Sequence, residues 1–350
     1  MKAKLNRVIE RFAEILTGND AETNQTKCTR YAVTNFRGGI GKSTLAFNLA
    51  YEITRGSSGL FLDLCSQRNL SQALLGDDLN EQTDTVYDAL LAKVANATPV
   101  DIDDILVSVK PHCSAFKGGK EAYLIPGSSE LFLFPSVLYG QLATLATLQQ
   151  GRAREPSARI LRAIDSVITE AFSNRNFQKV LIDTSPFFGG ATHLAWEAAE
   201  ALVIPARVDQ NSMDALRLTL SMLRDHDRDF VRFNNQAGII HSPKVHAIAI
   251  THCGWSRQKQ NTPDNATKYF IQEAINIVNE FEDCFSHNDL SDCIHILDDF
   301  HSAGRISGTR RIPLSKLEAG QQYTVEGQRL EVNPAVNRYK KEIHALAAVF

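Results

Sequence analysis

The segment FRGGIGKSTLAFNLA, Phe36 to Ala50, constrains the fold of this chain more than any other stretch. Three glycines, Gly38, Gly39 and Gly41, surround Ile40 and lead into Lys42, Ser43 and Thr44. Glycines permit a backbone whose successive N–H groups point inward, and a helix amino terminus behind them adds the positive end of its dipole; together they cradle phosphate. Lys42 is placed to reach the β- and γ-phosphates of a nucleotide and the Ser43 hydroxyl to ligate Mg²⁺, with Thr44 beside it. The usual pattern, G-x-x-x-x-G-K-[ST], requires glycine at position 36, where this chain has Phe36 followed by Arg37.

Such a loop needs a strand before it and a helix after it. Tyr31 to Asn35 reads as the strand, and Ser43 to Thr54 has the apolar periodicity of the helix. GLFLDL, EAYLIPG, KVLID, ALVIPA and VHAIAITH continue the strand series, with a helical region around Met213 to Arg224. Strands alternating with helices imply an α/β fold, a doubly wound, mostly parallel sheet flanked by helices of the P-loop NTPase type. Leu5, Val8, Ile9, Phe12 and Ile15 share one helical face, followed by the polar stretch TGNDAETNQTK, so residues 1–27 read as a helical extension and linker before a domain over 28–350. PHCSAFKGGK, QQGRAREPSA and SRQKQNTPDNA read as further linkers.

With 43% hydrophobic and 22% charged residues among 350, the chain can bury a large core. No run approaches the roughly 18 apolar residues of a membrane span, and the amino terminus mixes charges into its apolar positions, so the expected compartment is the cytoplasm, with no membrane contact. The six cysteines are scattered without a C-x-x-C pair, which argues against zinc and against a disulfide framework. A net charge of −3 excludes a uniformly basic nucleic-acid binder and leaves room for a local basic patch.

The spacing R-G-G-I-G-K-S-T resembles the deviant Walker A signature, K-G-G-x-G-K-[ST], of the ParA/MinD family of ATPases, with Arg37 at the signature lysine. FLDLCSQRNLSQAL, DTVYDAL, YLIPGSSEL, KVLIDTSP and ALVIPARVDQNSMDAL resemble family landmarks in order, and TRRIPLSKLEAG through NRYKKEIHALAAVF is similar to the family's closing strand, loop and helix. The resemblance implies ATP and Mg²⁺ as ligands. It assigns Asp183 to the magnesium together with Ser43, and Pro205, Val208 and Asp209, then Thr251 and His252, to the nucleotide base. It also implies a homodimer formed on ATP binding, with Arg37 in the role of the lysine that reaches the partner's nucleotide; arginine keeps that charge and adds a planar donor set.

In DLCSQRN, Asp63, Gln67 and Asn69 fit the family's D-x-D-P-Q-x-N segment, but Cys65 replaces the second aspartate and Ser66 the proline. The resemblance gives that aspartate the task of positioning the attacking water. A thiol lacks the two-oxygen acceptor geometry, and loss of a group that orients water costs on the order of 10² to 10⁴ in rate. Slow hydrolysis is therefore expected, with Arg37, Lys42 and Asp63 as the catalytic set. Arg305, Arg310, Arg311 and Lys316, and then Arg338, Lys340 and Lys341, form two basic clusters that the resemblance assigns to non-specific DNA contact. RLTLSMLRDHDRDFVRF interleaves aspartates with arginines and reads as a salt-bridged helix surface. The expected function is an ATP-dependent dimerising switch in DNA or cargo partitioning, read or stimulated by a protein partner. The alternative is a nucleotide-binding regulatory or scaffold subunit of a larger assembly.

Overall fold

The computed structural model describes residues 2–18, 27–81, 84–148, 150–256 and 262–350. Helix α1 (Lys2–Thr17) precedes β1 (Arg30–Val33), α2 (Lys42–Gly56), β2 (Gly59–Leu64), α3 (Asn69–Leu75), α4 (Val86–Ala95), the short α5 (Ile102–Ile105), β3 (Val107–Ser108) and β4 (Ala122–Ile125). Three helices, α6 (Phe134–Ala146), α7 (Gln150–Leu161) and α8 (Ala163–Asn174), lead to β5 (Lys179–Thr184), α9 (Gly190–Ala198) and β6 (Ala201–Arg207). The chain continues through α10 (Gln210–Arg224), α11 (Asp229–Ala237), β7 (Lys244–Cys253), α12 (Asn265–Glu280), β8 (Ile294–Asp298) and α13 (His301–Arg310), and ends with β9 (Gln322–Val325), β10 (Gln328–Glu331) and α14 (Val336–Ala347).

Eight strands form one sheet in the order β3-β4-β2-β5-β1-β6-β7-β8, parallel except for β3, which runs antiparallel to β4 at one edge. The strands alternate between two buried faces, as a sheet covered on both sides requires. Leu60, Leu62, Val180, Ile182, Leu202 and Ile204 face one core layer, with α4, α6, α8, α9, α10 and α12 supplying the facing side chains. Tyr31, Val33, Phe61, Leu181 and Val203 face the other, packed under α2, α3, α13 and α14. From β1 the chain passes to β2 on one side and later to β6 on the other. The loop after β1 thus opens into the crevice where α/β sheets bind their ligands.

The strands and helices read from the sequence are present, but three readings change. QQGRAREPSA is not a linker: it forms most of α7, despite Pro156 inside the helix. Proline there removes one helix N–H and crowds the carbonyl of Arg152, a cost offset by burial of Ile160 and Leu161. The closing segment holds no strand of the main sheet; its two strands form a separate antiparallel hairpin, β9 with β10. The eighth sheet strand is β8, which the sequence reading passed over because His295 interrupts its apolar run. Of the expected linkers, residues 19–26 and 257–261 lie outside the described residues.

Helix α1 is docked on the domain, packing against β8, α12 and α14. Val8 and Phe12 are buried as the periodicity predicts, and Phe12 stacks on Trp255 with ring centroids 5.0 Å apart. Arg11, on the same helix, is also buried, bonded to the Ile294 carbonyl and to Asp292. Among the described residues no helix is long and apolar enough to cross a membrane.

Candidate nucleotide site

The loop between β1 and α2 is fixed at its base by Asn35, whose side chain donates to the Pro205 carbonyl at 2.7 Å and accepts from the Arg37 N–H at 2.8 Å. Gly39 and Gly41 have φ of +70° and +85°, the left-handed region that a side chain would strain. Gly41 caps α2 with no side chain of its own, so the leading amides of that helix remain available to a phosphate. Phe36, at the position of the usual first glycine, stacks on Trp196 at 5.6 Å and meets Phe188 edge-on at 6.1 Å. An aromatic peg in α9 thereby holds the loop where the usual pattern has glycine.

Lys42 is 7% exposed, and its ammonium donates to the Arg37 carbonyl at 2.9 Å. Burial lowers its pKa, opposed by the nearby Asp183 carboxylate. Asp183 ends β5 in register with Asp63 at the end of β2, and both are fully buried. Their surroundings differ. Asp63 accepts from the Ser71 N–H and hydroxyl, each at 2.8 Å, and from the Cys65 N–H at 3.1 Å. Among the described residues neither carboxylate oxygen of Asp183 has a hydrogen-bond partner. Burial and then the charge of Asp63 push its pKa well above the ordinary carboxylate value, while the neighbouring Ser43 hydroxyl and Lys42 pull it down.

A buried carboxylate without hydrogen bonds, beside a hydroxyl and a lysine, is a costly arrangement that a divalent cation would relieve. The donor set fits Mg²⁺, which favours one or two carboxylate-type ligands completed by phosphate oxygens and water over an all-protein cage. Among the described residues no group of three or more His, Cys, Asp or Glu is placed to form such a cage.

Cys65 lines the same cleft and is 3% exposed; burial pushes its thiol up to about 11, so it is neutral at physiological pH and supplies no negative charge. Gln67 and Asn69 also reach the cleft, bonded to each other at 3.2 Å. Arg37 turns the other way. Its guanidinium pairs with Asp209 and donates to the Ser212 hydroxyl at 2.7 Å. Asp209 is the N-cap of α10, accepting from the Ser212 N–H, and does not line the cleft. Pro205, buried within β6, does not line it either. Its carbonyl faces the side where β1 has already ended, so its missing N–H breaks no ladder.

The cleft has a volume of about 680 Å³. It is also lined by Thr251 and His252 near the end of β7, Asp298 at the end of β8 with Asp299 after it, and His301 and Arg305 of α13. His252 and His301 both have positive φ, 60° and 42°. Asp298 is held rigidly, accepting from Trp255 Nε1 at 2.8 Å and pairing with Arg338. Thr251 and His252 were expected here, whereas the Asp298–His301 run was missed. Its signature was present in ILDD, an apolar run ending in carboxylates like KVLID.

The family of AAA domains matches residues 29–231. The sporulation initiation inhibitor protein Soj of Bacillus subtilis is 25% identical over 194 residues, covering 55% of this chain and 64% of that protein. An uncharacterised protein of Methanocaldococcus jannaschii is 26% identical over 196 residues with the same coverage, so the matches span just under two thirds of these relatives' length. Among solved structures, an ATP complex of a Cyanothece McdA variant superposes with a TM-score of 0.59 at 17% identity, covering 92% of this chain and 97% of that one. A Borrelia burgdorferi putative plasmid partition protein bound to AMPPNP gives 0.50 at 14%, covering 92% and 98%. At these identities the structural likeness speaks for the fold. The family match and the order of motifs place the chain in the ParA/MinD-like family of P-loop ATPases.

Proposed function

We propose that this chain is an ATP-dependent switch of the partition or positioning type, binding ATP with Mg²⁺ and dimerising when it does so. The observation that carries the reading is Asp183, buried with unpartnered oxygens beside Ser43 and Lys42 at the foot of the glycine loop. Asp183 and Ser43 would hold Mg²⁺, which supplies neutralisation of phosphate charge, while Gly38 to Thr44 enclose the phosphates with backbone N–H groups.

Lys42 is now bonded to the Arg37 carbonyl, so a lysine that turns to phosphate releases a tether on the residue that carries the signature charge. The Arg37 side chain is then held by Asp209 and Ser212 of its own chain, and exchanging them for a partner's nucleotide would link ligand binding to dimerisation. Hydrolysis is slow in this scheme, because neutral Cys65 cannot orient water and both oxygens of Asp63 already accept hydrogen bonds. The neutral thiol also favours a second reading, a regulatory or scaffold subunit that binds nucleotide without turning it over. A protein partner that reads the nucleotide state, and action in the cytoplasm, belong to both readings.

The test is Mg²⁺-dependent binding of a fluorescent ATP analogue, followed by light scattering. Wild type should bind and dimerise, and Asp183→Asn should lose the magnesium dependence. A folded Asp183→Asn variant with unchanged, Mg²⁺-dependent affinity would overturn the site, and a monomer at every concentration of protein and ATP would overturn the switch.

A further inference from the structure

The two basic clusters expected to meet DNA are largely occupied within the fold. Arg311 donates to the carbonyls of Ala73, Leu74 and His112, and so ties α13 to α3. Arg338 pairs with buried Asp298, Arg305 with Glu326, and Lys341 donates to the Leu16 carbonyl at the end of α1. Lys316 lies over the Tyr51 ring. Arg310 and Lys340 are left, and two charges give little counterion release.

The opposite situation holds on α7. Arg152 and Arg159 lie two helical turns apart on one face, and Arg162 follows in the turn before α8; all three are exposed, and among the described residues none makes an ion pair or hydrogen bond through its side chain. Arg154 sits to one side, its guanidinium against Gly238 at the C-cap of α11, where it complements the helix dipole. The only carboxylate on the exposed face of α7 is Glu155.

We infer that the Arg152, Arg159 and Arg162 stripe is a contact surface for the backbone phosphates of nucleic acid. Arg152 and Arg159 stand about 10 Å apart along the helix, a length over which one strand of duplex presents about three phosphates. Arginine forks match phosphate bidentately; among the described residues Arg152 and Arg159 have no hydrogen bond or ion pair to give up and lose little on meeting it, while Arg162 also feels the Glu197 carboxylate of α9. A lipid surface does not fit, because a helix lying on one buries its apolar face among headgroups, whereas Ile160 and Leu161 of α7 are already packed in the core. A protein partner would be anchored by aromatic or aliphatic side chains, and Gly151, Arg152, Arg154, Glu155 and Arg159, the exposed positions described on this helix, include none. The inference rests on the reading of the chain as a DNA-positioning switch, and it moves the contact from the carboxy-terminal clusters to another face.

The test uses the full chain with ATP and Mg²⁺, a labelled duplex of arbitrary sequence, and anisotropy titrations from about 50 to 200 mM salt. Joint replacement Arg152→Ala, Arg159→Ala and Arg162→Ala should weaken binding by at least about tenfold at low salt and reduce the slope of log K against log salt by about 2.7. Glu155→Gln, which removes the one opposing charge, should tighten binding about threefold, and Arg310→Ala with Lys340→Ala should change it less than about twofold. A triple variant with the parent's affinity and slope overturns the inference, as does a Glu155→Gln variant that binds no tighter. Binding of phosphatidylserine vesicles or polyglutamate in place of the duplex, lost in the triple variant, overturns it in favour of a lipid or protein surface. Analogue binding is measured on every sample. A parent that binds the analogue but no duplex refutes this inference alone, and one that binds neither refutes the switch itself.

Discussion

The two ends of the cleft are built on different physical plans. The phosphate end consists of backbone amides, one lysine and two strand-end carboxylates, with the lysine and both carboxylates buried, and it is set by a single continuous segment and its neighbouring strands. The end we assign to the base is assembled from three separate stretches, the ends of β7 and β8 and the start of α13, with two histidines in left-handed backbone and several side chains open to solvent. A phosphate needs many donors converging on one charge, which a short motif can supply. Distinguishing one base from another needs a few directional contacts, which any loop of suitable geometry can supply, and such contacts leave little trace in a motif.

If this division holds, damage to the phosphate end should be indifferent to the base. Lys42→Ala is expected to weaken ATP and GTP alike, by about 100-fold or more, measured by competition with a fluorescent analogue. A loss confined to one nucleotide would break the comparison. Damage to the base end should do the reverse: Asp299→Ala or His252→Ala should shift the ratio of ATP to GTP affinity by about three- to tenfold while leaving inorganic triphosphate binding within about twofold. Cys65→Asp lies wholly at the phosphate end and should raise single-turnover hydrolysis several-fold with little effect on affinity for either base. A variant no faster than its parent would mean that another group positions the water.

The smallest expected effect tests the support behind the phosphate end. Glu197, next to the Trp196 that holds Phe36, is pushed by burial to a pKa of about 8, against a hydrogen bond from Asn234. A carboxyl whose folded pKa is raised contributes its full stability below the ordinary carboxylate value and loses it as pH rises through about 8. Urea melts of Glu197→Gln should therefore show a flatter fall in stability over that window, by about 1–2 kcal/mol, with phosphate binding unchanged.

What the sequence made legible follows the same division. The glycine loop, Lys42, Ser43 and Asp183 could be read because each sits in a short segment whose neighbours are fixed by covalent order. Asp298 and His301 escaped because β8 carries a buried histidine and follows a long helix and two short turns, so its period was broken and the carboxylates ending ILDD were its one signal. Pro205 and Asp209 were set at the base by the resemblance, but local rules claimed them, a strand flank in one case and a helix cap in the other. α7 was mistaken for a linker because Pro156 and its polar neighbours are breaker residues in isolation, and only tertiary packing of the opposite face overrides them.

The chain has two tryptophans, and the fold assigns one to each end of the cleft. The Trp196 indole lies against Phe36 of the phosphate loop, and that of Trp255 is tethered to Asp298 at the base end, with Phe12 stacked on its ring and Arg338 over it. The molecule thus carries its own pair of optical reporters. Replacing Trp255 by phenylalanine would leave emission that tracks closure around phosphate, and replacing Trp196 would leave emission that tracks the base and the seating of α1. The order in which the two signals move after mixing with nucleotide would give the sequence of events inside the cleft, with no label attached.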